Sequence, residues 1–102
     1  MSALVISEVE IIDEAAANEY RVRAASSIRT YGGKYLVRGA EAVVAEGASA
    51  TGRFVVCEFP SLQRIEEWYS SPEYAEALKF RDAALRRRLI FVDGVAQEVR
   101  EG

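Results

Sequence analysis

Two charged side chains stand inside otherwise apolar segments, where a charge needs a chemical reason. Arg38 follows the run Tyr35–Val37, and Glu58 follows the run Phe54–Cys57. Burying either charge unpaired is expensive, so each is expected to be paired, exposed at a rim or facing a polar pocket. In the pocket interpretation, Glu58 is the catalytic base and Arg38 or Arg81 binds an anion. In the alternative interpretation, the two residues are a structural ion pair or lie at the rim.

Three aromatic residues, Trp68, Tyr69 and Tyr74, cluster where one helix is expected to end and the next to begin. Aromatic side chains at such spacing usually belong to a core. Beside the helix N-terminus predicted at Ser71–Pro72, however, they would also form an apolar ligand wall with an anion-friendly end. Arg81 lies roughly two turns beyond Tyr74 and faces either that wall or solvent. The three aromatic residues and Arg81 therefore join Arg38 as candidates for ligand binding.

The remaining reactive side chains have simpler structural explanations. Cys57 lies in an apolar run and is expected to be a small buried hydrophobic residue, since no motif supplies the cationic neighbour that a thiolate needs. Tyr31 and Tyr35 flank a double-glycine turn, and Asp93 opens an Asp-Gly turn. The basic cluster at 86–88 is predicted to end a helix, where cations complement the helix dipole.

Composition excludes several classes of function. The 102 residues include no histidine and one cysteine, and the net charge is -3. Histidine-based triads, histidine-ligated haem and the usual zinc sites are therefore excluded, and we expect no metal or cofactor. The net negative charge predicts no nucleic-acid partner. No signal peptide or membrane-spanning stretch is found, which predicts a cytoplasmic protein without a membrane partner.

Hydrophobic periodicity, caps and turn residues predict a single α+β domain over residues 1–102. Asp13, Ser61 and Ser71 are predicted helix N-caps, and Gly39 is expected to bend or bulge the second strand. The order is β-α-β-β-α-β, the ferredoxin-like arrangement with an antiparallel sheet. The predicted segments are a strand at 3–12, a helix from Asp13 to Gly32–Gly33, a strand from Lys34 through Val43–Val44, a loop at 47–52, a strand at 54–59, helices after Ser61 and Ser71, a strand at 89–92 and a short edge strand at 95–99.

The strand composition also predicts a partner. A half-exposed antiparallel sheet alternates apolar and polar residues, but the runs at 4–6, 54–57 and 89–92 are apolar throughout. Both faces of the sheet are therefore expected to be covered, and the helices suffice for one face only. A second copy of the sheet is the simplest cover for the other, which predicts a homodimer with a barrel-like interior.

Several segments together resemble a known family over about residues 6–94. They are Tyr31–Gly39, Glu58–Ser61, Trp68–Tyr74, Arg81 and Asp93–Gly94. In order and spacing they are similar to the family called domain of unknown function 1330. The chain departs from the family at two positions, where it has Lys34 instead of the common arginine and Ser70 instead of the common asparagine. The resemblance implies a dimeric α/β barrel of ferredoxin-like units and no established reaction. Relatives in the wider superfamily include cofactor-free monooxygenases, haem-degrading oxygenases, muconolactone isomerases and stress-response proteins.

Two functions remain open from the sequence. The first is binding of a small anionic or aromatic compound, with cofactor-free proton-transfer, isomerase or oxygenase chemistry. Its site would be one cavity bordered by Arg38, Glu58, Trp68, Tyr69, Tyr74 and Arg81. The second is a non-catalytic dimeric module, structural or stress-associated, without a ligand. A cavity that faces a buried Glu58 favours the first function, and a filled core with Glu58 paired to Arg38 favours the second.

Overall fold

A computed structural model describes residues 2–94 of the chain. The predicted β-α-β-β-α-β order is confirmed, with the second helical segment divided into two helices at Ser70–Ser71. The predicted edge strand at 95–99 lies outside the described residues. The elements are β1 (Ala3–Ile11), α1 (Glu14–Thr30), β2 (Lys34–Ala40), β3 (Arg53–Phe59), α2 (Leu62–Tyr69), α3 (Pro72–Ala84) and β4 (Leu85–Asp93).

The helices begin where the sequence predicts, because each cap satisfies a backbone N–H of the first turn. The side chain of Asp13 accepts a hydrogen bond from the Ala16 amide, and Ser61 and Ser71 cap α2 and α3 in the same way. Pro72 occupies the first turn of α3, where the missing N–H costs nothing. None of the described helices is long and apolar enough to cross a membrane.

The four strands form one antiparallel sheet in the order β2-β3-β1-β4. Register shifts occur in β2 between Tyr35 and Val37 and again between Arg38 and Ala40, where Gly39 has φ +80°. The predicted irregularity at Gly39 is therefore confirmed. The predicted continuation of this strand through Val43–Val44 is wrong, because β2 ends at Ala40 and Val43 is 96% exposed.

The basic cluster lies in β4 rather than at a helix end, so the prediction of dipole-complementing cations is wrong. Helix α3 ends at Ala84, and Leu85 already belongs to the strand. These residues follow the two-residue period of a β-strand. Leu85, Arg87 and Leu89 point to one side of the sheet, and the residues between them point to the other. All nine residues of β1 pair with residues 85–93, so the three arginines belong to the strand β4.

The helices pack on one side of the sheet, which we call the covered face. Val5, Cys57 and Phe59 point to this face and form the core with Ile28, Ile65 and Trp68 among others. The other side, the open face, carries apolar side chains that none of the three described helices covers. Its members include Leu4, Ile6, Phe54, Val56, Leu36, Ile90 and Val92. Leu36 is 53% exposed, and Ile90 and Val92 are also exposed.

Candidate functional site

A cavity of about 460 Å³ lies between the covered face and α1. This volume is within the range typical of small-molecule sites. The cavity exists because α1 presents small side chains, such as Ala24, above the sheet, so the space is left unfilled. Its floor consists mainly of apolar side chains from β1, β3 and β4, including Val5, Val9, Val55 and Leu89.

A cluster of one guanidinium and two phenols stands at the wall of this cavity. Arg87 of β4 donates from Nη1 to the Tyr20 hydroxyl at 2.6 Å and from Nη2 to the Tyr74 hydroxyl at 2.7 Å. The two hydroxyl oxygens lie 2.5 Å apart and share a further hydrogen bond. Tyr20 comes from α1 and Tyr74 from α3, so three separate elements hold the guanidinium in place.

The ionisation of this cluster follows from burial and proximity. Burial raises the pKa of Tyr74 far above its usual value, the neighbouring Tyr20 raises it further, and Arg87 opposes both only in part. Burial lowers the pKa of Arg87, but Tyr20 and Tyr74 outweigh it, so the pKa is raised. Arg87 is therefore a fixed cation and Tyr74 a neutral phenol at physiological pH.

The positive charge of Arg87 has no carboxylate partner among residues 2–94. No side chain that the structure shows lining the cavity is acidic. Two other arginines at the cavity, Arg21 and Arg53, each have a carboxylate within 4 Å, supplied by Glu14 and Glu41. The inner wall of the cavity is thus electropositive and can hold an anion.

Arg38 contributes a second cation at the cavity through the irregularity of β2. In a regular strand Tyr35 and Arg38 would point to opposite faces, because an odd number of steps separates them. The register shift after Tyr35 places Tyr35 opposite Cys57 and Arg38 opposite Val55, both on the covered face. The Arg38 guanidinium then lies 4.2 Å from the centre of the Tyr35 ring, and both residues line the cavity.

No described side chain of the cavity is suited to be a general base or a nucleophile. Burial raises the pKa of the Cys57 thiol to about 12, against the opposing effect of Arg38, so the thiol stays protonated. Burial likewise raises the pKa of Tyr35 to about 12. The described side chains of the cavity are suited to binding a compound and stabilising negative charge on it.

Glu58 lies on the open face, away from the cavity. It pairs with Leu4 across β1 and β3, and its Oε1 lies 3.5 Å from Lys34 Nζ. Glu58 is thus neither buried in a cavity nor paired with Arg38; it is partly exposed and lies beside Lys34. Its catalytic role stays a prediction without support from the geometry of the cavity.

The aromatic candidates occupy three different environments. Trp68 is 2% exposed in the core, where its Nε1 donates to Ser27 Oγ at 3.0 Å. The Tyr74 hydroxyl accepts a hydrogen bond from Arg87 and so supports the cavity wall. Tyr69 and Arg81 border a second, shallower groove of about 380 Å³ between α3 and β4, which Arg87 also borders.

The six candidate residues are therefore not brought together around one cavity. Arg38 lines it directly and Tyr74 supports its wall, whereas Arg87, Tyr20 and Ser7 were not identified from the sequence. The signal for Arg87 was the alternation Leu85-Arg87-Leu89, which the apparent helix end concealed. Among residues 2–94, no three histidine, cysteine, aspartate or glutamate side chains converge on a possible metal position. The absence of a cofactor stays a prediction.

Comparison with known proteins agrees with this architecture. The model of the family described as "Domain of unknown function (DUF1330)" matches residues 2–95. No curated protein matches the sequence. A crystal structure of a protein of unknown function from Rhodopseudomonas palustris is similar, with 21% identity, 93% of this chain and 83% of that chain covered, and a TM-score of 0.74.

A second similar structure is SnoaB from Streptomyces nogalater, which is named as a cofactor-independent oxygenase. The identity is 9%, the match covers 94% of this chain and 95% of that chain, and the TM-score is 0.65. At this identity the likeness concerns the fold alone.

Proposed function

Since this chain belongs to the DUF1330 family, whose description states no function, we propose a function from its own cavity: it binds a small anionic compound with an apolar, aromatic body. The observation that carries the proposal is Arg87, a largely buried guanidinium at the cavity wall that two phenols contact and that no carboxylate of residues 2–94 pairs with. The anionic group of the ligand is proposed to pair with Arg87, and its apolar body to lie over the floor of β1, β3 and β4.

The energetics support an anion in this position. A buried cation that lacks a counter-ion is costly, and an anionic ligand offsets that cost with charge-assisted hydrogen bonds. Tyr20 and Tyr74 accept from one N–H on each of the two terminal nitrogens, which leaves further N–H groups for a ligand. Arg38 at the cavity mouth adds attraction for the incoming anion.

The same arrangement supports chemistry in which the ligand itself loses a proton. Arg87 would stabilise the resulting phenolate or enolate, and the cavity would need no general base of its own. SnoaB, which shares the fold, is named as an oxygenase without a cofactor, and an organic anion is the form of a compound that most readily gives electrons to O₂. We therefore extend the proposal from binding to activation of an ionised aromatic compound.

The test uses 4-nitrophenol, whose anion absorbs visible light and whose neutral form does not. At a pH below the pKa of the free compound, the wild-type protein is expected to raise the phenolate absorbance on titration. Arg87→Gln should weaken binding by about tenfold or more and abolish the absorbance change. Arg88→Gln is the matched control, since it removes the same charge from the neighbouring residue on the open face and should leave both signals unchanged.

Two outcomes would contradict the proposal. One is a wild-type protein that binds no 4-nitrophenol or binds it without ionisation. The other is equal binding by the Arg87 and Arg88 variants. Either outcome would leave the non-catalytic dimeric module as the better account.

We also propose that the chain forms a homodimer through the open face. Contiguous exposed apolar side chains of this kind mark interaction surfaces, and Leu36, Ile90 and Val92 form part of such a patch. Lys34 and Glu58 bring both signs of charge to the same face, so a second copy can meet it with opposite charges in apposition. A two-fold interface uses the same patch on both copies, which suits a face of mixed character.

A further inference from the structure

Ser7 is a single hydroxyl in the middle of the cavity's apolar floor. It lies on β1 opposite Val55 of β3 and Leu89 of β4, with Val5 and Val9 on either side of it along the covered face. Ser7 is 5% exposed and lines the cavity. Within residues 2–94, its Oγ has no hydrogen-bond partner.

An unpartnered buried hydroxyl is unusual and costly, because buried polar atoms in proteins nearly always have a hydrogen-bond partner. Ser27 shows the ordinary arrangement in this same chain. Its Oγ donates to the Ala24 carbonyl at 2.8 Å and accepts from Trp68 Nε1 at 3.0 Å. Ser7 therefore differs from Ser27 in having no hydrogen-bond partner for its hydroxyl among residues 2–94, although it lies at the cavity.

The sheet register places Ser7 between Arg38 and Arg87. Arg38 pairs with Val55, and Val55 pairs with Ser7, so Arg38 lies two strands away in the same row. On the other side Arg87 pairs with Val9. Arg87 is thus the diagonal neighbour of Ser7 on the adjacent strand, and the backbones of such neighbours lie about 7–8 Å apart. Ser7 and Arg87 therefore project from adjacent strands to the same cavity.

We propose that Ser7 selects the ligand: its hydroxyl binds an oxygen substituent on the ring of an aromatic acid whose carboxylate pairs with Arg87. The inference rests on the proposed function and narrows its ligand class from aromatic anions to hydroxy- or oxo-substituted aromatic acids. A site with a buried hydroxyl discriminates against an analogue that leaves it unpaired. An unsubstituted aromatic acid would fill the cavity and leave Ser7 without its partner.

The experiment compares 4-hydroxybenzoate with benzoate by calorimetric titration. Wild type should bind 4-hydroxybenzoate about tenfold more tightly than benzoate. Ser7→Ala should bind the two compounds equally, and Ser7→Thr, which keeps the hydroxyl, should retain the preference. Without ligand, Ser7→Ala should melt at or above the wild-type temperature, whereas Ser27→Ala should melt lower because it leaves Trp68 Nε1 unpartnered.

Failure of the inference is distinct from failure of the proposed function. If wild type binds both acids without preference, or if Ser7→Ala keeps the preference, the role of Ser7 is refuted while anion binding stands. If Ser7→Ala melts as low as Ser27→Ala, the Ser7 hydroxyl has a structural partner and the inference is wrong. If wild type binds neither acid, the proposed function fails and the inference falls with it.

Discussion

The two faces of the sheet use the same four strands for different purposes. On the covered face, helices bury an apolar core at one end and leave a cavity with Arg87, Arg38 and Ser7 at the other. On the open face, similar apolar side chains remain exposed, and the charged pair Lys34–Glu58 lies among them. The difference shows that an apolar side chain of these strands lies in one of three environments: the core, the cavity floor or the exposed patch. The environment of each side chain depends on whether a helix packs against that part of the sheet and how closely.

The largest expected effect is a difference in the free energy of unfolding between variants of two phenylalanines of β3, one in the core and one in the exposed patch. Phe59 is 1% exposed on the covered face, and Phe54 lies half-buried on the open face. Phe59→Ala should lower the free energy of unfolding by about 3–5 kcal/mol, because it leaves a cavity in a packed core. Phe54→Ala should cost about 1 kcal/mol in dilute solution. Urea denaturation of both variants measures the difference, and equal losses would contradict the assignment of the two faces.

The exposed patch should determine the oligomeric state. Ile90→Lys places a charge in the exposed apolar patch of the open face and should reduce the mass in light scattering from that of a dimer to that of a monomer. Val22→Lys is the matched control, since Val22 is 70% exposed on α1 and far from the sheet's open face. A wild type of monomer mass, or a dimer that survives Ile90→Lys, would refute the homodimer.

The covered face should also make stability sensitive to alkaline pH. The pKa of Tyr35 is raised from about 10 in the unfolded chain to about 12 by burial. Because the folded state holds the proton more tightly, Tyr35 contributes stability that is complete below pH 10 and is lost as the pH rises toward 12. Tyr35→Phe should flatten this loss in chemical denaturation measured across that range. A profile identical to that of wild type would count against burial of the phenol.

The smallest effect is expected for Glu58→Gln. The Lys34–Glu58 pair joins largely exposed groups, so its removal should change the free energy of unfolding by less than about 1 kcal/mol. Binding of 4-nitrophenol should be unchanged, since Glu58 lies on the face opposite the cavity. A loss of binding as large as that of Arg87→Gln would restore Glu58 as a functional residue.

The fold was largely predictable from the sequence, and the cavity was only partly so. Caps at Asp13, Ser61 and Ser71 and the turn glycines are local signals, and they predicted the starts of the three helices and the end of α1 correctly. The site depends on non-local pairing instead. The register shift after Tyr35 turns Arg38 into the cavity, and pairing with β1 draws Arg87 into a strand. The register shift leaves no local signature, and the apparent helix end concealed the alternation Leu85-Arg87-Leu89. The partners of Arg38, Glu58 and Arg87 therefore emerge only once the strands are aligned.

The most direct test of the central claim is a crystal structure of the protein with 4-bromobenzoate, in which anomalous scattering locates the bromine. The account predicts bromine density over the floor of the covered face and the carboxylate within hydrogen-bond distance of the Arg87 guanidinium. Density on the open face, density in the groove beside Tyr69 and Arg81, or an empty cavity at saturating ligand would contradict it.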